Sequence, residues 1–110
     1  MTSKELLELL KEACDDKRAD DILSFDVRES SSVTDYYIIC HGGSDRQVQA
    51  IADNVAEVAE AEGYQPITEG YREAKWILVD VDDVIVHVFL RPERSYYNLE
   101  RLFTSGEKIE

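Results

Sequence analysis

Tyr36-Tyr37-Ile38-Ile39-Cys40-His41-Gly42-Gly43-Ser44-Asp45-Arg46-Gln47-Val48 is the stretch on which the fold turns. Its first half belongs to a run, Val33 to Cys40, that is almost continuously β-branched and aromatic after Asp35, as a strand covered on both faces is. Its second half opens a helix, because Val48, Ile51, Ala52, Val55, Val58 and Ala59 recur with helical period up to Glu62. Ser44 and Gln47 have capping-box spacing at the start of that helix, and Gly63 supplies a left-handed stop at its end. A strand running straight into a helix long enough to cross over a sheet marks an α/β domain.

Working outward, Leu6, Leu7, Leu9, Leu10, Ala13 and Cys14 give Ser3 to Cys14 one apolar helical face, with Ser3 as the expected cap and an end near Asp15. The polar run Asp15 to Asp21 reads as a surface connection. Leu23, Phe25 and Val27 then alternate as a strand does, and Glu29 to Ser32 is a turn. On the other side, Gln65 to Gly70 reads as a short extended connection. Trp76 to Val81 and Val84 to Leu90 form a hairpin around Asp82-Asp83, although Asp-Gly would suit the turn better. Pro92 opens a last helix with Tyr96, Leu99, Leu102 and Phe103 on its apolar side, and the tail from Thr104 is expected to fray. The expected architecture is one domain, residues 1–110, with a mixed β-sheet flanked by helices.

Composition narrows the function classes. Against 12 Lys and Arg stand 24 Asp and Glu, a formal net charge of −12. Such a surface repels phosphate backbones and anionic headgroups, so nonspecific nucleic-acid binding and electrostatic membrane docking start with a penalty, and a basic protein is the favoured partner. No apolar run reaches the roughly 20 residues of a membrane span, and Met1 to Cys14 alternates charges with leucines, so a cytoplasmic chain is expected. Cys14 and Cys40 fit neither a disulfide framework nor a metal knuckle and read as buried reduced thiols.

Three chemical sites compete with structural explanations. His41-Gly42-Gly43-Ser44 stands where helix N–H groups can hold a phosphate, but it lacks every glycine-rich phosphate signature, and Asp45 places a negative charge where the anion would sit. Gly42-Gly43-Ser44 with Asp80-x-Asp82 suggests a Mg²⁺-dependent nucleotidyltransferase or nucleotide-binding enzyme. The aspartates follow the Gly-Ser turn too late, however, and Asp82 falls at a hairpin tip. His41, His87, Cys14 and Cys40 could supply four zinc donors, yet Cys40 and His41 are adjacent in a strand and point to opposite sides. No cofactor or metal is therefore expected.

The hairpin is more informative. Ile77, Val79 and Val81 with Val84, Val86 and Val88 make one purely aliphatic face, which must be core. The opposite face mixes Trp76, Asp80 and His87, as a recognition face does, although Trp76 could equally pack beneath the last helix. Tyr, Trp and Arg, the usual interface anchors, crowd the last 40 residues.

Ordered blocks across nearly the whole chain resemble the bacterial ribosomal silencing factors, also called Iojap-like proteins. They run through Ser32-Val33-Thr34-Asp35-Tyr36, Cys40-x-Gly42-x-Ser44-x-Arg46-Gln47-Val48 and Ile51-Ala52-Asp53. Glu69-Gly70, Trp76-Ile77-Leu78-Val79-Asp80, Asp83-Val84-x-Val86-His87-Val88-Phe89 and Arg94-x-Tyr96-Tyr97-x-Leu99-Glu100 follow. The resemblance implies a nucleotidyltransferase-like fold without catalysis. It also implies binding to large-subunit ribosomal protein number fourteen, a steric block on subunit joining that represses translation, and homodimers. Carried onto this chain it nominates Trp76, Asp80, Asp83, His87, Arg94 and Tyr97 as the partner-binding surface. Asp82 stands where the family's hairpin commonly has Gly, and Phe103 where its last helix commonly has Trp.

Overall fold

In the computed structural model, which describes residues 1–29, 31–98 and 107–108, the chain opens with helix α1 (Ser3–Asp16). Thr2 caps it. Its Oγ1 accepts from the Glu5 N–H at 3.1 Å while the Glu5 carboxylate accepts from the Thr2 N–H at 2.8 Å. The expected cap, Ser3, stands instead at the first helical position, because Thr2-x-x-Glu5 offers a reciprocal pair that Ser3-x-x-Leu6 cannot.

Strands β1 (Asp20–Asp26) and β2 (Tyr36–Gly42), helix α2 (Asp45–Ala61), and strands β3 (Ile67–Glu69), β4 (Trp76–Val81) and β5 (Val84–Leu90) follow, then helix α3 (Arg91–Tyr97) and strand β6 (Glu107–Lys108). The six-stranded sheet has the order β3-β4-β5-β2-β1-β6. Only β2 and β5 run parallel among the described pairs, joined through the crossover that contains α2; the rest are antiparallel. The mixed α/β architecture is the expected one.

Four local differences have physical causes. Asp20 and Asp21, expected in the surface connection, belong to β1. Its register slips between Asp20 and Leu23, and Asp21 sits at φ 49°, so a bulge lets this polar end pair with β2. The connection expected over Gln65 to Gly70 contributes β3, a three-residue edge strand with every residue exposed, too short and polar to announce itself by pattern. In the tail expected to fray, Glu107–Lys108 pairs with Phe25 and Asp26 of β1. α3 is described to Tyr97, where Asn98 at φ 47° donates its N–H to the Arg94 carbonyl; Leu99, Leu102 and Phe103 lie outside the described residues.

α2 begins at Ser44, whose Oγ accepts from the Gln47 N–H at 3.2 Å. Gln47 does not close the expected box on Ser44. Its Oε1 accepts from the Gly43 N–H at 2.8 Å, and its Nε2 donates to the Arg18 carbonyl at 2.9 Å, so one side chain joins the α2 entry to the α1 exit. Asn54 Nδ2 makes a second tie to the Ala13 carbonyl at 2.8 Å. Gly63, at φ 91°, ends α2 with the Gly63 and Tyr64 N–H groups returning to the Glu60 and Ala59 carbonyls.

The main core lies between this helix pair and one sheet face. Leu6, Leu7 and Leu10 of α1 and Val48, Ile51 and Val55 of α2 meet Ile38, Ile77, Val79, Val86 and Val88, all buried. Each such side chain contributes about 1.5–3 kcal/mol on leaving water. The aliphatic hairpin face is core, as its parity requires. The other sheet face holds a smaller cluster, Phe25, Val27, Ile39 and Phe89, with Leu23, Tyr37 and Trp76 packed around it.

Candidate functional site

The sheet face turned away from α1 and α2 carries Phe25, Tyr37, Trp76 and Phe89. Trp76 and Phe89 are direct partners across β4 and β5, as are Leu78 and His87. Trp76 stacks on Phe89, with centroids 5.2 Å apart and planes at 25°, and touches Tyr97 of α3 at 4.8 Å. Trp76 thus packs beside the last helix and remains half-exposed on the face.

His87 fixes the tryptophan. The Trp76 Nε1–H donates to His87 Nδ1 at 3.1 Å, and Tyr37 lies 5.3 Å from the imidazole. With Nδ1 accepting, the neutral ring carries its proton on Nε2. His87 is 5% exposed, and burial among apolar neighbours pushes its pKa down to about 4. It is thus a neutral acceptor at physiological pH.

The six nominated residues fall into distinct places. Trp76 and Tyr97, the latter 44% exposed, form the accessible aromatic part. Half-buried Asp80 lies on the same face, its Oδ1 accepting the Asp82 N–H at 3.2 Å and holding Asp82 at φ 57° in the hairpin turn. Asp83 is half-buried in that turn; burial raises its pKa, and the Asp82 and Asp35 charges add to the effect. His87 and Arg94 are buried inside this chain, so any contribution they make to docking passes through the groups they hold.

Arg94, 6% exposed, anchors α3. Its Nη1 donates to the Asp21 carbonyl at 2.8 Å and to His41 Nδ1 at 2.9 Å, and its Nη2 lies 3.4 Å from the Asp21 carboxylate. A guanidinium only donates, so His41 accepts there as a neutral ring. Burial and the Arg94 charge hold the His41 pKa below its ordinary value. Arg91 joins the same corner by reaching Asp20 at 3.1 Å. The β1 bulge presents this carbonyl and these carboxylates, which no sequence period reveals.

Sequence reasoning missed what β3 brings to the face. The pairing Glu69↔Leu78 places Glu69 beside Leu78 and near Trp76. Glu69, Gly70, Trp76 and Leu78 line a half-open cavity of about 280 Å³. Gly70 has φ 78°, and a Cβ there would run into the Trp76 carbonyl oxygen, so this approach admits only glycine. Gly70, a few residues ahead of a strong strand, was the available signal.

The competing chemistries are dispersed by the same geometry. Gly42 pairs with Leu90 and Asp80 with Ile85, which separates the Gly-Ser turn from the Asp80-x-Asp82 pair by about 17 Å along β5. The Gly43 and Gln47 N–H groups that a phosphate would need are occupied by Gln47 Oε1 and Ser44 Oγ. Cys40 faces the helix layer in the same buried core as Cys14, whereas His41 reaches Arg94.

Fold and face together define a class: small mixed α/β domains with one sheet face layered by two helices and the other given over to aromatic side chains. Residues 1–110 match the family model described as "Ribosomal silencing factor during starvation". The chain is 54% identical over 104 residues to ribosomal silencing factor RsfS of Bacillus subtilis (strain 168), covering 94% of this chain and 88% of that one. A crystal structure of a Chromobacterium violaceum protein superposes with a TM-score of 0.91 at 36% identity, covering 94% of this chain and 87% of that one. Similarity extends, at 29% identity over 93 residues, to the mouse protein named "Mitochondrial assembly of ribosomal large subunit protein 1", covering 80% of this chain and 40% of that one. The chain belongs to the ribosomal silencing factor family.

Proposed function

We propose that this protein is a ribosomal silencing factor that docks on the large ribosomal subunit through its aromatic sheet face. In this reading it binds large-subunit ribosomal protein number fourteen at the intersubunit side, excludes the small subunit and represses translation. The supporting observation is the half-exposed Trp76, locked by His87 and backed by Phe89 and Tyr97 on a face that α1 and α2 leave open. A rigid aromatic anchor suits docking. Steric exclusion needs occupancy and no catalytic group. The finer expectations of a homodimer and a cytoplasmic location belong to the same reading; among the described residues no helix is long and apolar enough to cross a membrane.

The test is co-sedimentation with purified ribosomal subunits. The protein is expected to travel with the large subunit and to prevent its joining the small one, and Trp76→Ala is expected to weaken binding by about 2 kcal/mol or more. Migration with the small subunit, or unchanged binding by a folded Trp76→Ala variant, contradicts the docking assignment.

A further inference from the structure

The cavity beside Trp76 is built asymmetrically. Trp76 meets Phe89, His87 and Tyr97 on its β5 side, and the cavity opens on its β3 side, where Gly70 contributes no side chain and Leu78 supplies an aliphatic wall. The remaining wall is Glu69. Its carboxylate forms no ion pair among the described residues, although Arg72 and Lys75 stand on the adjoining loop. The indole N–H is committed to His87, so the cavity sees the ring of Trp76 and not its polar edge.

We propose that this cavity is the seat of one cationic side chain, an arginine of the docked protein, its methylene stem lying on Trp76 and Leu78 and its guanidinium paired with Glu69. The proposal rests on the docking reading above and specifies its anchor. Charge selects the occupant. An aliphatic wall, an aromatic ring and one carboxylate match the stem and head of arginine, whereas an acidic side chain would meet both Glu69 and the field of a −12 chain. A lysine fits the charge but lacks the planar fork that stacks on an indole and pairs with both carboxylate oxygens.

The experiment measures binding of purified large ribosomal subunits to the wild-type protein, Glu69→Gln, Trp76→Ala and Glu57→Gln, the last a control at an exposed carboxylate on α2, over a range of salt. Glu69→Gln is expected to bind at least about tenfold more weakly at low salt with a shallower salt dependence, at unchanged melting temperature, and Glu57→Gln to bind as wild type. Loss of binding in Trp76→Ala with none in Glu69→Gln means that an uncharged group fills the cavity, and overturns the proposal while leaving the docking face in place. Failure of the wild-type protein to bind large subunits overturns both. A direct arm uses the isolated protein: N-acetylarginine amide is expected to perturb the Trp76 indole signal in NMR, while the neutral citrulline amide is not. Equal responses to the two count against a cation site.

Discussion

His87 shows how a single residue can be legible in side and illegible in depth. Alternation along β5 puts it on the face with Trp76, but only the structure shows it enclosed by Tyr37, Trp76 and Phe89. Depth decides its chemistry. With a folded pKa of about 4 against an ordinary 6.5, the unfolded chain takes up a proton before the native one, so stability is complete above about pH 6.5 and falls as pH drops toward 4. The loss reaches about 3 kcal/mol. His87→Gln keeps an acceptor for the indole without titrating, so its melting temperature is expected to decline less steeply between pH 6.5 and 4. Parallel slopes would refute this account. Arg94 carries the same lesson: the sequence marks an interface-type residue, whereas its partners, Asp21 and His41, come from β1 and β2.

At the scale of elements, the long periodic segments were readable because one physical signal dominates each. α2 follows from its apolar stripe and the Ser44 cap, and the β4–β5 hairpin from its two parities around Asp82-Asp83. The short elements were not. β3 and β6 are three and two residues of edge, held by ladder hydrogen bonds to neighbours that only the folded sheet provides, so local composition carries no trace of them. The β1 start is hidden by its bulge, and the α1 start turns on a choice between neighbouring hydroxyls. That choice is measurable. Thr2→Ala removes the acceptor for the Glu5 N–H and is expected to cost about 1 kcal/mol in chemical denaturation, whereas Ser3→Ala is expected to change stability by a few tenths at most.

Over the whole molecule, the net charge of −12 and the aromatic face act at different ranges. The charge repels RNA over about a Debye length, while the face works only at contact, so the two together favour a protein target set within a nucleic-acid surface. The protein is expected not to retard protein-free ribosomal RNA in gel shifts even at low salt, where cationic proteins bind it strongly. Retardation there would refute this division of labour. The strand order also bears on timing. β5 lies between β4 and β2, yet Val84–Leu90 follows both of them in the chain and is synthesised after them. Until it arrives, β2 has an unpaired edge, and α1 and α2 lack much of the surface they rest on. A chain that has not yet reached β5 thus has no complete sheet centre to settle into, and folding of the layers on either side waits for that strand.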